Sequence, residues 1–450
     1  HAGQEVTLSG WVDVRRDHGK IVFFDLRDES GIAQLVITPP LATAEAAQLR
    51  SEWVIKVSGK VQVRPKAQVN ANIASGEIEV AVASLEIINE AATPPFAINT
   101  DGHDISEEVR LKYRYLDLRR PRLQRNLRLR SKFVEAARQY LFSQGFNEVE
   151  TPYFTSTTPE GSRDFVVPSR LYPGKFFALP QSPQQYKELL MVAGFEKYFQ
   201  IARAFRDEDL RADRGFEHTQ IDMEMSFVTR EDIMALDEAM ITSAVEAVGL
   251  TVKEKPFPRY TYAEAMKQFG ADKFDLRTEE DKKAGHLAFA WVTDFPFFEK
   301  TDEEGWTFTH NPFSAPLPEH LEWHLKGENV EKIIAQQYDL VCNGVEVGGG
   351  SVRAHRPDIL KATFRIMGYD EERIERDFGH MLKALGSGAP PHGGIAHGVE
   401  RLLMTLTGEQ YLREVVAFPQ TSTGRTSVMD APSPLTPEQL KELHLKLDLK

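Results

Sequence analysis

Cysteine is almost missing from this chain. A single thiol, Cys342, stands in 450 residues, so no internal disulfide framework can form and the pattern points to a reducing compartment. Cys342 sits in the apolar run LVCNGVEV, 340–347, which reads as a buried small residue rather than a nucleophile. Long hydrophobic runs are missing too: none approaches the roughly 20 residues of a membrane span. No secretory leader opens the sequence, although His1 implies a trimmed or unresolved N-terminus, and the expected location is cytoplasmic. Positive charge is not in excess. The formal net charge is −13, which argues against indiscriminate nucleic-acid binding and still leaves room for a local basic face.

What is present suits a large globular protein. The composition is 41% hydrophobic and 27% charged, enough for a sizeable core spread over two or three domains. Residues 1–90 read as five short strands, at 6–14, 20–26, 32–37, 53–63 and 78–88, rich in β-branched and aromatic residues. A short helical stretch, TAEAAQLR, falls between the third and fourth. That order fits a small OB-type barrel, and it fits other small barrels as well. KIVFFDL has two adjacent Phe residues, so one of them points inward and the other outward. Residues 91–125 turn polar and Pro-containing, as a linker or hinge does. From 126 a second domain is expected to run to 450. Leu129, Phe133, Ala137 and Leu141 recur every fourth residue, with Val134 beside them, which predicts a helix ending at Gly145. FNEVETP then reads as a strand stopped by Pro152. Strands and helices alternate over 146–227 and 289–417. The tail, from Thr436-Pro437, reads as a capped surface helix.

Three segments carry chemistry. AFRDEDLRADRGFEHTQID (204–222) sets Arg206 among alternating acids. VEVGGGSVR (345–353) ends on Arg353. GGIAHGVERLLM (393–404) sets Arg401 after a glycine run. Guanidinium grips phosphate oxygens in a fixed fork and never deprotonates, and glycine lets backbone approach a nucleotide closely. Taken singly, an Arg-Asp-Glu run is usually a solvated strand and GGG a turn.

In this order, and with QSPQQYKELL, FRDEDLRADR, HTQIDMEMSF and GVEVGGGSVR, the segments resemble the class II aminoacyl-tRNA synthetases, and most closely the bacterial-type aspartyl enzymes, over nearly the whole chain. The resemblance implies an α+β protein: a five-stranded OB-type anticodon-binding barrel followed by an antiparallel catalytic sheet flanked by helices. It implies ATP-dependent ligation of L-aspartate to tRNA through aspartyl-adenylate. Arg206 would bridge the α-phosphate and the attacking carboxylate, Glu208 would face adenine, and Arg401 would lie under the ring near the γ-phosphate. Asp207, Glu346, Gly398, Val399 and Glu400 complete the implied ATP set, and Asp339 with Glu346 match the Mg²⁺-binding carboxylates. Lys187 and Arg353 match ligands of the substrate side chain. Ser182, Gln184, Asp222, His310 and, on a closing loop, Glu160 match the remaining aspartate contacts, with Arg206 shared. In the barrel, Phe23 matches an aromatic that stacks an anticodon base, and Arg16, Gln34 and Glu79 match base-edge contacts. The helix and strand around 127–152 match the segment through which the family forms homodimers.

The sequence also departs from the family pattern. His218 and His397 stand where Phe is usual beside adenine, Gly215 where a polar side chain touches ATP, and Asn311 where a second His is usual; an imidazole can titrate as well as stack. The family's inserted domain is missing near 279–287. His18 and Ala67 replace Leu and Lys of tRNA-Asp-specific members, as in the subtype that charges tRNA-Asp and tRNA-Asn alike. A tRNA-dependent amidotransferase would then be a partner. The alternatives are a discriminating enzyme for tRNA-Asp alone, and a catalytically inactive RNA-binding or scaffold paralogue; the intact arginines and acids speak against the last.

Overall fold

A computed structural model describes residues 2–43, 45–157, 161–302 and 305–448. The chain divides into two compact units. One comprises His1–Ser106 with Tyr115–Pro121, the other Glu107–Arg114 with Arg122–Lys450.

The first unit is a closed five-stranded barrel in the order β1-β2-β3-β5-β4. The strands are β1 (Glu5–His18), β2 (Ile21–Arg27), β3 (Ile32–Ile37), β4 (Val54–Val63) and β5 (Ile78–Asn89). β1 runs four residues past its expected end because Arg15–His18 pair with Ile21–Phe24 as a hairpin around Gly19. Period-2 alternation decides which side chains fill the barrel. Val12, Phe24, Leu35 and Ile55 point inward and are fully buried, while Phe23 is half-buried on the outside. Residues 91–106 group with this unit and are mostly exposed, with Ile98 and Gly102 buried. The Arg120 guanidinium is buried and donates to the carbonyls of Ile98 and Thr100 and, at 2.6 Å, to Asp117.

The longest helix, α1, spans Pro121–Ser143. Proline is suited to a first helical position, where its missing N–H costs nothing. Phe133, Ala137 and Leu141 are fully buried, as their spacing predicts, and Gly145 ends the helix at φ +80°. The following strand is shorter than expected: only β6, Asn147–Glu148, pairs, at the edge of the sheet. Then come α2 (Gln184–Val192), β7 (Lys197–Phe205), β8 (Glu217–Ser226), α3 (Arg230–Ala247), β9 (Arg259–Thr261), β10 (Phe289–Thr293), β11 (Gln337–Cys342), β12 (Val345–Val352), α4 (Glu371–Leu385), β13 (His392–Gly398) and α5 (Val399–Thr407). The eight strands form one sheet, ordered β9-β10-β11-β12-β13-β8-β7-β6. Its inner pairings are antiparallel, and only the two outermost are parallel.

One face of this sheet packs against α1, α3 and α5. Ile221, Met223 and Met225 of β8 join Phe133, Met240, Ile395 and Leu402 in the main core. Cys342 is in the same core, and burial pushes its thiol pKa up, so it stays protonated. From β9 to β10 the chain passes through a helix at Tyr262–Phe269 and a six-residue helix at Glu279–Ala284, with every residue described. Lys253 anchors that short helix to Asp281 at 2.8 Å.

Candidate active site

The other face of the sheet holds a cavity of about 380 Å³. Strand alternation creates it. With Ile221, Met223 and Met225 committed to the helix layer, Gln220, Asp222 and Glu224 of β8 must face the opposite way, and there they are buried. Two neighbouring strands contribute little side-chain bulk. A Cβ on Gly394 of β13 would strike the Met223 carbonyl and the Glu224 carboxylate, so glycine is required for that carboxylate to sit where it does.

At the deep end lie two buried cations between two buried acids. Lys187 Nζ, from α2, is 3.0 Å from Asp222 Oδ2 and 3.3 Å from Glu224 Oε2. Arg353, just after β12, places Nε 3.0 Å from Glu224 Oε1 and Nη2 3.2 Å from Oε2, and donates through Nη1 to Ser351 Oγ at 2.8 Å. All four charged side chains are at most 3% exposed. Their partners set their acidities. Burial raises the pKa of Asp222 and outweighs Lys187, whereas Glu224, also opposed by burial, is held below the usual carboxylate range by both Arg353 and Lys187. Asp222 Oδ1 is buried with no hydrogen-bond partner among the described residues. Glu224 was not a predicted site residue. The signal was there, since HTQIDMEMSF alternates and places Glu224 on the same face as Asp222.

Across the cavity are the groups from the loop after β7 and from α5. Arg206 donates through Nε to the Gln181 carbonyl at 3.3 Å. Glu208 accepts from Ser162 Oγ at 3.1 Å and from Arg214 at 3.2 Å. Arg401 reaches the Glu346 carbonyl at 3.4 Å and Asp213 at 3.3 Å. Glu400 lines the wall with its carboxylate held by Arg130 at 2.8 Å and by the Thr219 backbone N–H at 2.9 Å, which locks the start of α5 to β8 and α1. A Cβ on Gly398 would meet only Arg401 Cβ, at 3.9 Å, so the glycine leaves its space to the cavity. Val399 is fully buried in the helix-side core, and Asp207 pairs with Arg163 at 3.5 Å; neither side chain lines the cavity. Glu160 lies outside the described residues.

Asp339 and Glu346 stand on adjacent strands β11 and β12, and both line the cavity. Asp339 accepts from His310 Nε2 at 3.1 Å and from Gln337 at 2.8 Å; Glu346 pairs with Lys273 at 2.8 Å. No group of three or more His, Cys, Asp or Glu converges on one metal position among the described residues. Two hard carboxylates at the cavity wall still suit Mg²⁺, which is commonly held by one or two carboxylates together with phosphates and water.

The departures separate. His218 lines the cavity, and burial with repulsion from Arg206, Arg401 and Arg203 pushes its pKa down to about 3. It is a neutral ring, so the expected titration does not occur near neutral pH. His397 does not face the nucleotide region at all. It is fully buried on the helix side, 2.6 Å from Asp237 of α3, and its ring fills the space that a Cβ on Gly348 would need. Asn311 accepts from the Phe313 N–H at 3.1 Å and shapes its own turn. Gly215 lines the cavity with room for a side chain, the nearest obstacle to a Cβ being Gln420 at 3.4 Å.

On the barrel, the four matched residues share one outer surface. Arg16 forks onto Asp25 at 2.7 Å and reaches Gln34 at 3.2 Å; Gln34 donates to Glu79 at 2.7 Å. Phe23 lies opposite Arg16 in the β1–β2 ladder, and the ring of His18 meets it edge-on at 5.5 Å. Ala67 is exposed on the short turn Lys66–Gln68.

Comparison with known proteins agrees with this layout. Residues 106–422 match the tRNA synthetases class II (D, K and N), and residues 6–88 match the OB-fold nucleic acid binding domain. The Aspartate–tRNA(Asp/Asn) ligase of Heliobacterium modesticaldum is 42% identical over 576 residues, covering 100% of this chain and 94% of the relative. That span exceeds the 450 residues available here, so more than about a hundred aligned positions of the relative have no counterpart. The Aspartate–tRNA ligase of Geobacillus kaustophilus is 40% identical, covering 99% of this chain and 97% of its own. The solved asparaginyl-tRNA synthetase of Pyrococcus horikoshii, complexed with asparaginyl-adenylate, superposes with a TM-score of 0.74 at 24% identity, covering 97% of each chain.

Proposed function

Because the chain belongs to the class II tRNA synthetases of the D, K and N group, we propose that it activates L-aspartate with ATP and transfers it to tRNA. The observation that carries this reading is the pair of buried cations, Lys187 and Arg353, in the same cavity as Arg206 and Arg401. An aspartate side-chain carboxylate satisfies such cations. An amide turns an NH₂ donor toward one of them where a carboxylate would accept, at a cost of roughly 1–3 kcal/mol or more.

In the first step a carboxylate oxygen of aspartate attacks the α-phosphorus, a P–O bond forms, and the bond to diphosphate breaks. Both reactants are anionic, so the protein's task is to neutralise and align; no covalent nucleophile is needed. Arg206 is assigned to the α-phosphate and the attacking carboxylate, Arg401 and Glu208 to the nucleotide, and neutral His218 to stacking on adenine. Asp222 Oδ1, Gln184 and Ser182 receive the substrate ammonium. His310 stands beside the carboxylates that would hold Mg²⁺, Asp339 and Glu346; the ion would neutralise phosphate charge. In the second step a ribose hydroxyl at the tRNA 3′ end attacks the activated carbonyl, and AMP leaves.

The barrel surface of Phe23, Arg16, Gln34 and Glu79 is assigned to the anticodon. His18 against Phe23 supports acceptance of both tRNA-Asp and tRNA-Asn, and a tRNA-dependent amidotransferase would then process the second product. A homodimer through 127–152 is supported by exposed apolar side chains there and just beyond, among them Phe142, Tyr153 and Phe154, since patches of this kind mark interfaces. A monomer by sedimentation at micromolar concentration would reject it. No described helix is long and apolar enough to cross a membrane, and we assign the enzyme to the cytoplasm. The test of the central reading is aspartate-dependent exchange of labelled pyrophosphate into ATP; exchange with asparagine instead, or with neither, would overturn it.

A further inference from the structure

Behind Gln184, at the deep end of the cavity, runs a chain of buried polar contacts to Glu188 and His392, two residues that none of these roles uses. Gln184, the first residue of α2, lines the cavity, and its Nε2 donates to Glu188 Oε1 at 2.7 Å. Glu188 Oε2 is 3.3 Å from Nε2 of His392, the first residue of β13. His392 Nδ1 is 2.8 Å from the Pro390 carbonyl. Glu188 is 1% exposed and His392 not at all.

Elementary hydrogen-bond bookkeeping orients every group in this chain. A carbonyl only accepts, so His392 Nδ1 carries a hydrogen. An ionised carboxylate only accepts, so the Nε2 facing Glu188 carries one as well, and the ring is an imidazolium. The same carboxylate forces the NH₂ end of the Gln184 amide toward itself. The end left for the cavity is the carbonyl, an acceptor. The groups around His392 agree: Glu188 of α2, Glu224 of β8 and the Pro390 carbonyl favour the cation, and burial together with His392 pushes the pKa of nearby His355 down. Burial disfavours the imidazolium, yet Glu188, Glu224 and the Pro390 carbonyl together outweigh it and the pKa of His392 is raised.

We propose that His392 and Glu188 form a positioning relay that fixes the Gln184 carbonyl as an acceptor for the ammonium group of the amino-acid substrate. It rests on the reading of aspartate as that substrate. Without the relay the amide is free to rotate by half a turn and present NH₂ to an ammonium, which repels it. The relay therefore acts on amino-acid binding and leaves the nucleotide end of the cavity alone.

The test is steady-state pyrophosphate exchange with L-aspartate, comparing the unmodified enzyme with His392→Gln, Glu188→Leu and the double variant. Each single change is expected to raise KM for aspartate about tenfold, with KM for ATP held within about twofold. The double variant should resemble the single ones, since a relay broken at either link is already broken. Glu188→Leu keeps a similar volume and leaves the Gln184 amide no acceptor, whereas Gln there would still accept through its carbonyl, so the Leu variant decides the matter even where His392→Gln does not fold. An unchanged KM for aspartate in Glu188→Leu, a matching rise in KM for ATP, or multiplicative effects in the double variant would each overturn the relay. An unmodified enzyme without aspartate-dependent exchange would overturn the substrate reading, and the relay with it.

Discussion

Two arginine–carboxylate pairs of nearly the same chemistry occur in the two units. In the barrel Arg16 forks onto Asp25, with side chains 40% and 15% exposed. Under the catalytic sheet Arg353 forks onto Glu224, with side chains 3% and 0% exposed. An exposed pair is worth at most about 1 kcal/mol and is exchanged easily for another polar partner, which suits the anticodon contacts proposed for that surface. A buried pair holds because neither member has water to fall back on, and breaking one side costs about 3–5 kcal/mol. The difference is between a surface that trades partners and a pocket whose charge is preset for one substrate.

The sharpest way to break that comparison is Arg353→Ala. It leaves Glu224 with Lys187 alone, so stability should fall by about 3–5 kcal/mol and aspartate-dependent exchange by more than about a thousandfold. Thermal melting and exchange kinetics on one preparation read both, and near-normal exchange rejects the pocket assignment. Arg353→Lys should be intermediate in stability and poor in exchange, because a point charge cannot replace a fork.

The barrel side predicts the opposite separation. Phe23→Ala should cost about 1–3 kcal/mol in tRNA charging, the worth of one stacked base, and leave pyrophosphate exchange untouched. A loss of exchange would show that the barrel and catalytic effects are not separable.

His218 tests electrostatics inside the cavity wall. Its folded pKa is near 3, below the unfolded value of about 6.5, so the folded state binds fewer protons as pH drops. The penalty is absent above about pH 6.5 and grows as pH falls through that value. His218→Phe should remove it, gaining about 1.4 kcal/mol relative to the unmodified chain between pH 7.5 and 5.5. Parallel denaturation curves for the two proteins at both pH values would refute the neutral buried imidazole.

The smallest expected effect is in tRNA choice. Charging of tRNA-Asp and tRNA-Asn should agree within about tenfold, or 1.4 kcal/mol, and His18→Leu with Ala67→Lys should lower tRNA-Asn charging the more. A preference for tRNA-Asp of several orders of magnitude in the unmodified enzyme would contradict the non-discriminating assignment and leave the aspartate reaction standing.

Much of the architecture could be read from local signals. The β3 strand at 32–37, the i, i+4 spacing of Phe133, Ala137 and Leu141, and the helix stop at Gly145 each follow from periodicity or from glycine's tolerance of positive φ. β6 is short because an edge strand has only one neighbour to pair with, a fact that no local pattern carries. His397 was expected beside the nucleotide and lies on the opposite face of the sheet, since an alternating strand sends neighbours to opposite sides and Ala396 and Gly398, not His397, line the cavity.

By itself, then, the sequence determined which residue types were available for the chemistry and in what order: arginines beside acids, a glycine run before Arg353, an aromatic beside Arg16. Only the tertiary structure decided their electrostatic state. Glu224 became the shared counter-ion of Lys187 and Arg353, His218 became neutral and His392 cationic, because burial and the identity of the facing atoms set protonation. Those facing atoms come from β8, the residue after β12, β13 and α2, with Glu188 and His392 204 residues apart along the chain, and only the folded sheet brings them together.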